Sequence, residues 1–131
     1  MTAVNRLTEE QIEQLAVEIR QFLFDRKMWI ETSIYFNSEC FTTYDKEAQR
    51  CYYNDPEHLV VLEHEDPRDY FDYVAEDHVL SMSFEGPIYD LLNHPQGKAD
   101  YRKIDKFNQI FKKYGLYYEM GNDWNLSCYY V

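Results

Sequence analysis

Helical periodicity falls in two long stretches of this chain, one near each end, and two-residue alternation fills most of the rest. That division constrains the fold more than any other feature. Ile12, Leu15, Ala16, Ile19, Phe22 and Leu23 recur at helical spacing and predict an amphipathic helix over 8–27. Thr8 is placed to cap it, with Gln11 three residues on as the capping-box partner and Leu7 positioned to staple onto Ile12. Glu9, Glu10 and Glu13 suit the positive end of the helix dipole, and Arg26 and Lys27 the negative end. The second stretch, 100–114, carries Ile104, Phe107, Ile110, Phe111 and Tyr114, with Asp100 as the expected cap and Gly115 as the stop.

Between the helices, residues 29–36 alternate, Asn37-Ser38 signals a turn, and 40–44 is again strand-prone. Short strands are expected over 50–53, 58–63 and 79–84. Asp66-Pro67-Arg68-Asp69 is a helix-start signature and predicts a short helix over 67–74. Such a helix would place Tyr70, Phe71 and Val74 on one face and bring Asp69, Asp72 and Glu76 near one another on another. Another short helix is expected from Pro87 to Leu92, after Gly86-Pro87 breaks the preceding strand. Strands over 116–120 and 124–130, joined by Gly121-Asn122-Asp123, form a C-terminal hairpin. Without regular βαβ alternation, this order predicts a single α+β domain over 1–131. The expected architecture is a largely antiparallel sheet with an N-terminal amphipathic helix and a second long helix before the C-terminal β-hairpin, the helices lying on one face.

Charge is the other constraint. The chain has 13 basic and 24 acidic residues, for a net charge of −11, yet 11 acids against Arg68 alone lie between Asn54 and Gly97. The remainder is nearly neutral. A negative patch repels nucleic acid and membrane surfaces and attracts basic proteins. Its plain reading is solubility and protection of sheet edges. Its functional reading is a docking surface for a basic protein, formed by Glu63, Glu65, Asp66, Asp69, Asp72, Glu76 and Asp77, with Tyr70 and Tyr73 adding contact area. A sharper version is a nucleic-acid mimic, whose carboxylates stand in for phosphates and inhibit a DNA- or RNA-binding protein. The 13 tyrosines fit interfaces, because Tyr brings area with few torsions to freeze, although half-buried sheet positions account for them as well.

Chemical motifs are sparse. His64 lies among Glu63, Glu65 and Asp66, and His78 follows Glu76-Asp77. These are the residues a small hydrolase or transferase would use. Neighbours in a strand point to opposite sides, so Glu63 and His64 are poorly placed to share an ion. No HExxH, GxSxG, phosphate loop or dinucleotide glycine pattern occurs, and neither a metal nor a cofactor is expected. Cys40, Cys51 and Cys128 are odd in number, widely spaced and outside any CxxC pair. They predict free, mostly buried thiols in a reducing, cytoplasmic setting. MTAVNRLTEEQ has no apolar signal core, and no apolar run reaches membrane-spanning length. The segment from Lys98 to Lys113 is net +4 with Tyr101, Phe107 and Phe111 interleaved. In so acidic a chain this reads as the solvated face of a helix and argues against direct nucleic-acid binding. It also allows a homodimer in which this helix meets the acidic middle of a second copy. The reading that follows is a non-catalytic protein-interaction domain that binds a basic partner through its acidic, Tyr-bearing middle.

Overall fold

The computed structural model describes residues 6–131. Residues 1–5, on which part of the expectation about a leader rests, lie outside the described residues. The first helix, α1, runs Glu9–Asp25. Its capping box forms as the sequence predicts: Thr8 Oγ1 accepts the Gln11 N–H at 3.1 Å, and the Thr8 N–H donates to Gln11 Oε1 at 2.9 Å. It ends short of residue 27, because Lys27 takes a left-handed φ of 57°. An Asn54 clamp then fixes the chain: Asn54 Oδ1 accepts the Trp29 N–H at 2.9 Å, and Asn54 Nδ2 donates to the Lys27 carbonyl at 3.1 Å.

Strands β1 (Thr32–Phe36) and β2 (Glu39–Thr42) form the predicted hairpin. Asn37 and Ser38 both have positive φ, as a two-residue hairpin turn requires. Tyr44–Asp45 (β3) and Arg50–Cys51 (β4) leave the sheet as a separate two-stranded ribbon. Next come β5 (Val60–Glu63), β6 (Leu80–Phe84), helices α2 (Gly86–Asn93) and α3 (Gly97–Lys113), and the hairpin of β7 (Leu116–Asn122) and β8 (Asn125–Tyr130). The six-stranded sheet has the order β5-β2-β1-β6-β8-β7, and every neighbouring pair is antiparallel. β1, β2 and β5 lie in succession and β6 returns beside β1, which is a Greek-key arrangement. The fold is thus α+β with an antiparallel sheet, as the order of the elements predicts.

The two faces of the sheet differ. Ile34, Phe36, Phe41, Leu80, Met82, Phe84, Leu126 and Cys128 share one face and pack on the buried sides of α1 and α3. There Phe107 of α3 meets Phe22, Phe111 and Tyr118 with ring centroids 5.2–5.8 Å apart. By strand alternation the other face carries Ser33, Tyr35, Cys40, Thr42, Ser81, Ser83, Asn125, Ser127 and Tyr129. Many of these side chains are small and hydroxylated, and several are nonetheless buried. Ser81 and Ser127 satisfy each other at 2.7 Å, and Ser33 and Thr42 at 2.9 Å. No helix among the described residues is long and apolar enough to cross a membrane.

Two expectations are corrected at helix starts. The helix expected over 67–74 is only a single 3-10 turn, Pro67–Asp69. The start signals act as read, since Asp66 Oδ1 accepts the Arg68 N–H at 2.9 Å. Continuation would stack Asp69, Asp72 and Glu76 as like charges at i,i+3 and i,i+4, and Tyr73 instead turns left-handed, with φ 68°. α3 begins one turn earlier than its sequence pattern suggested, and Asp100 accepts the Gln96 N–H at 2.8 Å from inside the helix rather than capping it. In the last hairpin the strand pairing continues to Asn122, so the turn is Asp123-Trp124 and Gly121 lies in a bulge. A Cβ at Gly121 would come within 2.2 Å of Asn125 Oδ1, which explains a glycine there.

Candidate functional site

The acidic connection from β5 to β6, residues 64–79, crosses the hydroxyl-rich face of the sheet as a strap. It starts where the Glu65 N–H donates to the Ser38 carbonyl at 2.9 Å. It then makes the Pro67–Asp69 turn, and Phe71 plugs it onto the sheet. Phe71 is 6% exposed and meets Tyr35 and Trp124 edge-on, with ring centroids at 5.8 and 5.6 Å. Val74 and Leu62 pack beside this cluster. The strap returns through Ala75, whose N–H donates to the Tyr129 hydroxyl at 3.4 Å, and ends where the Val79 N–H donates to the Cys128 carbonyl at 2.8 Å. Tyr35 on β1 and Trp124 just before β8 both touch the Phe71 ring, so the strap is pinned over the middle strands of the sheet.

The structure divides the residues that the sequence singled out. Asp69, Tyr70, Asp72, Tyr73, Glu76 and Asp77 are all exposed on the strap, Tyr73 by 73%. Asp66 is turned to Arg68, whose Nη2 donates to Asp66 Oδ2 at 2.9 Å. That contact holds the Asp66 carboxyl below its usual range. Glu65 bends inward, accepting a hydrogen bond from the Tyr70 hydroxyl and lying 3.6 Å from the Lys46 ammonium. Glu63 pairs with Glu39 on β2 and leaves from the helix-bearing side of the sheet. His64 is exposed, and His78 is half-buried with its Nδ1 2.7 Å from the Ala75 carbonyl.

Three residues that sequence reasoning did not select lie beside the strap: Tyr117, Glu119 and Trp124. The Tyr117 hydroxyl is pushed above its usual range by desolvation and then by the charges of Glu119 and Asp77. Alternation along β7 puts Tyr117 and Glu119 on the face opposite Leu116 and Tyr118. The strap's position over that face is a tertiary fact with no local signal.

Beside the start of the strap is a cleft of about 190 Å³, walled by Tyr35, Cys40, Tyr44, Lys46, Glu65 and Tyr70. Burial pushes the Tyr35 hydroxyl and the Cys40 thiol up to about 12. The hydrogen bond to Glu65 takes the Tyr70 hydroxyl to about 12 as well. At neutral pH the cleft therefore offers protonated hydroxyls and a thiol without thiolate character. A larger cleft of about 460 Å³ lies between α2 and α3, with Asp90, His94, Asp100 and Lys103 among its lining residues. Neither His64 nor His78 lines either cleft. Among the described residues, no three His, Cys, Asp or Glu side chains converge as a metal-binding group. No known protein family, curated protein or solved structure matches this chain.

The cysteines differ sharply in environment. Cys40 and Cys128 are buried on opposite faces of the sheet, and Cys51 is exposed on the ribbon. Burial pushes the Cys128 thiol up to about 12, as it does that of Cys40. Brief iodoacetamide treatment of the native protein at pH 8 is expected to label Cys51 alone, and treatment in denaturant all three thiols, as read by intact mass. Native labelling of Cys40 would mean that the strap opens readily.

Proposed function

We propose that the protein is a non-catalytic interaction module that binds a basic protein through the strap. One observation carries this reading: Phe71 pins the strap to the sheet, and the strap displays Asp69, Asp72, Glu76 and Asp77 outward, interleaved with Tyr70 and Tyr73. Tyr117 and Trp124 extend the same surface with exposed rings. A fixed backbone lowers the ordering cost of association, exposed Tyr and Trp supply contact area, and a one-sign field steers a cationic partner. Three unpaired thiols fit a reducing, cytoplasmic setting. A second copy, presenting Lys98, Arg102 and Lys106 from the exposed side of α3, qualifies as one such partner.

The other readings have less support. A nucleic-acid mimic needs its acids on one continuous face, whereas Glu63 leaves from the opposite side and Asp66 is matched by Arg68. A hydrolase built on His64 or His78 gains no support from the two clefts described, since neither residue lines them.

The test is capture from host lysate at low salt, comparing the wild type with a variant carrying Asp69→Asn, Asp72→Asn, Glu76→Gln and Asp77→Asn. At roughly 0.5 kcal/mol for each exposed charge, the four changes weaken a captured basic partner by about 2 kcal/mol, or ~30-fold. Added salt is expected to erode the wild-type interaction in parallel. Equal retention of the same proteins by both forms would refute the strap as a binding surface.

A further inference from the structure

The cleft beside the strap holds an arrangement that the exposed acids do not explain. The Glu65 side chain is only 13% exposed, and it faces the Lys46 ammonium at 3.6 Å, while the Lys46 side chain remains 58% exposed. The separation is an ion pair without a hydrogen bond. Around them stand the rings of Tyr35, Tyr44 and Tyr70. An acid set among aromatic walls is the chemistry that recognises an organic cation, through a charge-assisted hydrogen bond and cation–π contact. We propose that this cleft receives one arginine side chain of the basic partner, with Glu65 as its carboxylate ligand, and that Lys46 occupies the place in the free protein. The inference rests on the proposed function and adds to it the point at which the partner is anchored.

Arginine fits better than lysine for a physical reason. A planar guanidinium can lie against a tyrosine face while its N–H fork reaches a carboxylate, which an ammonium cannot do. Tyr70 donates its hydroxyl proton to Glu65 Oε2 and so orients the carboxylate, leaving Oε1, the atom nearest Lys46, for an incoming donor. The Tyr35, Tyr70 and Cys40 groups stay protonated at neutral pH and add no competing negative charge to the cleft. Lys46 is a weak occupant: a mostly exposed lysine in a loose pair is readily displaced. Phe71 next to Tyr70 makes the cleft continuous with the strap.

N-acetyl-arginine amide, titrated into the full chain and followed by amide shifts in a two-dimensional NMR spectrum, tests the proposal. The expected result is saturable shifts at Tyr35, Cys40, Glu65 and Tyr70, with none from the neutral citrulline analogue. Lys46→Ala is expected to tighten binding by about two- to fivefold, and Glu65→Gln to weaken it by about tenfold or more. Shifts confined to Asp69, Asp72, Glu76 and Asp77, or unchanged or weaker binding by Lys46→Ala, would overturn the proposal. Lys46 is exposed, so its variant decides the matter even if Glu65→Gln fails to fold. The strap variant with four neutralised acids separates the two ideas: it is expected to keep the arginine-amide shifts while losing the partner. If the partner is kept as well, the strap reading fails alone. If the wild type shows no cleft shifts while strap-dependent capture holds, the anchor fails alone.

Discussion

Replacing Phe107 with alanine is expected to lower the unfolding free energy by about 4 kcal/mol. Phe107 is fully buried where α3 lies on α1 and β7, with its ring against Phe22, Phe111 and Tyr118. Truncation removes the transfer free energy of the ring and leaves a hole that neighbours from three separate elements cannot fill together. For a domain of ordinary stability this is about a quarter or more of the total. A urea titration followed by far-UV circular dichroism measures it. The expected result is a midpoint shift with an unchanged slope, and a cost below about 1 kcal/mol would mean that the helical layer closes over the gap.

Phe71→Ala is expected to cost about 3 kcal/mol and to release the strap while the sheet remains. The phenyl group is the strap's main apolar anchor, in a small cluster with Tyr35 and Cys40 and separate from the main core. Its loss leaves the lesser contacts of Pro67, Tyr70 and Val74, a few backbone hydrogen bonds and the Ala75–Tyr129 contact to hold an acidic segment whose charges repel one another. Arg68 is the sole lysine or arginine between Asn54 and Gly97, so trypsin reports the release directly. The variant is expected to be cut at Arg68 under conditions where the wild type is intact there, and Phe71→Leu to restore most of the protection. Equal resistance of wild type and Phe71→Ala at Arg68 would show that the strap is held by something other than Phe71. Loss of strap order is also expected to lower partner capture with every acid still present, because a mobile strap must be ordered on binding.

What could be read from the sequence were features set by near neighbours. The capping box of Thr8 and Gln11, the apolar stripe of α1, the left-handed Gly115 after α3 and the Asn37-Ser38 turn are all interactions within about four residues. The alternation of β1 is equally plain, although Tyr35 on its other face is buried as well as Ile34, because both faces of the sheet are covered. The Pro67 segment departs from the helix its local pattern predicts. Its start signals are local and they do act, but the next step depends on a distant partner, the face carrying Tyr35 and Trp124, which draws Phe71 down.

The candidate site followed the same division. The sequence placed the negative charge between Asn54 and Gly97, and the acids from Asp69 to Asp77 are exposed on one strap. It did not show that Glu65 turns inward to Tyr70 and Lys46, that Glu63 leaves from the opposite side, or that Tyr117 and Trp124 adjoin the strap. By itself the sequence determined the helices, most of the strands and the location of the charge, because periodicity, caps and composition act over short separations. The tertiary structure alone decided the Greek-key strand order, the path of the strap and the facing of each acid. Those depend on which apolar surfaces meet across the sheet, and no local pattern encodes that pairing.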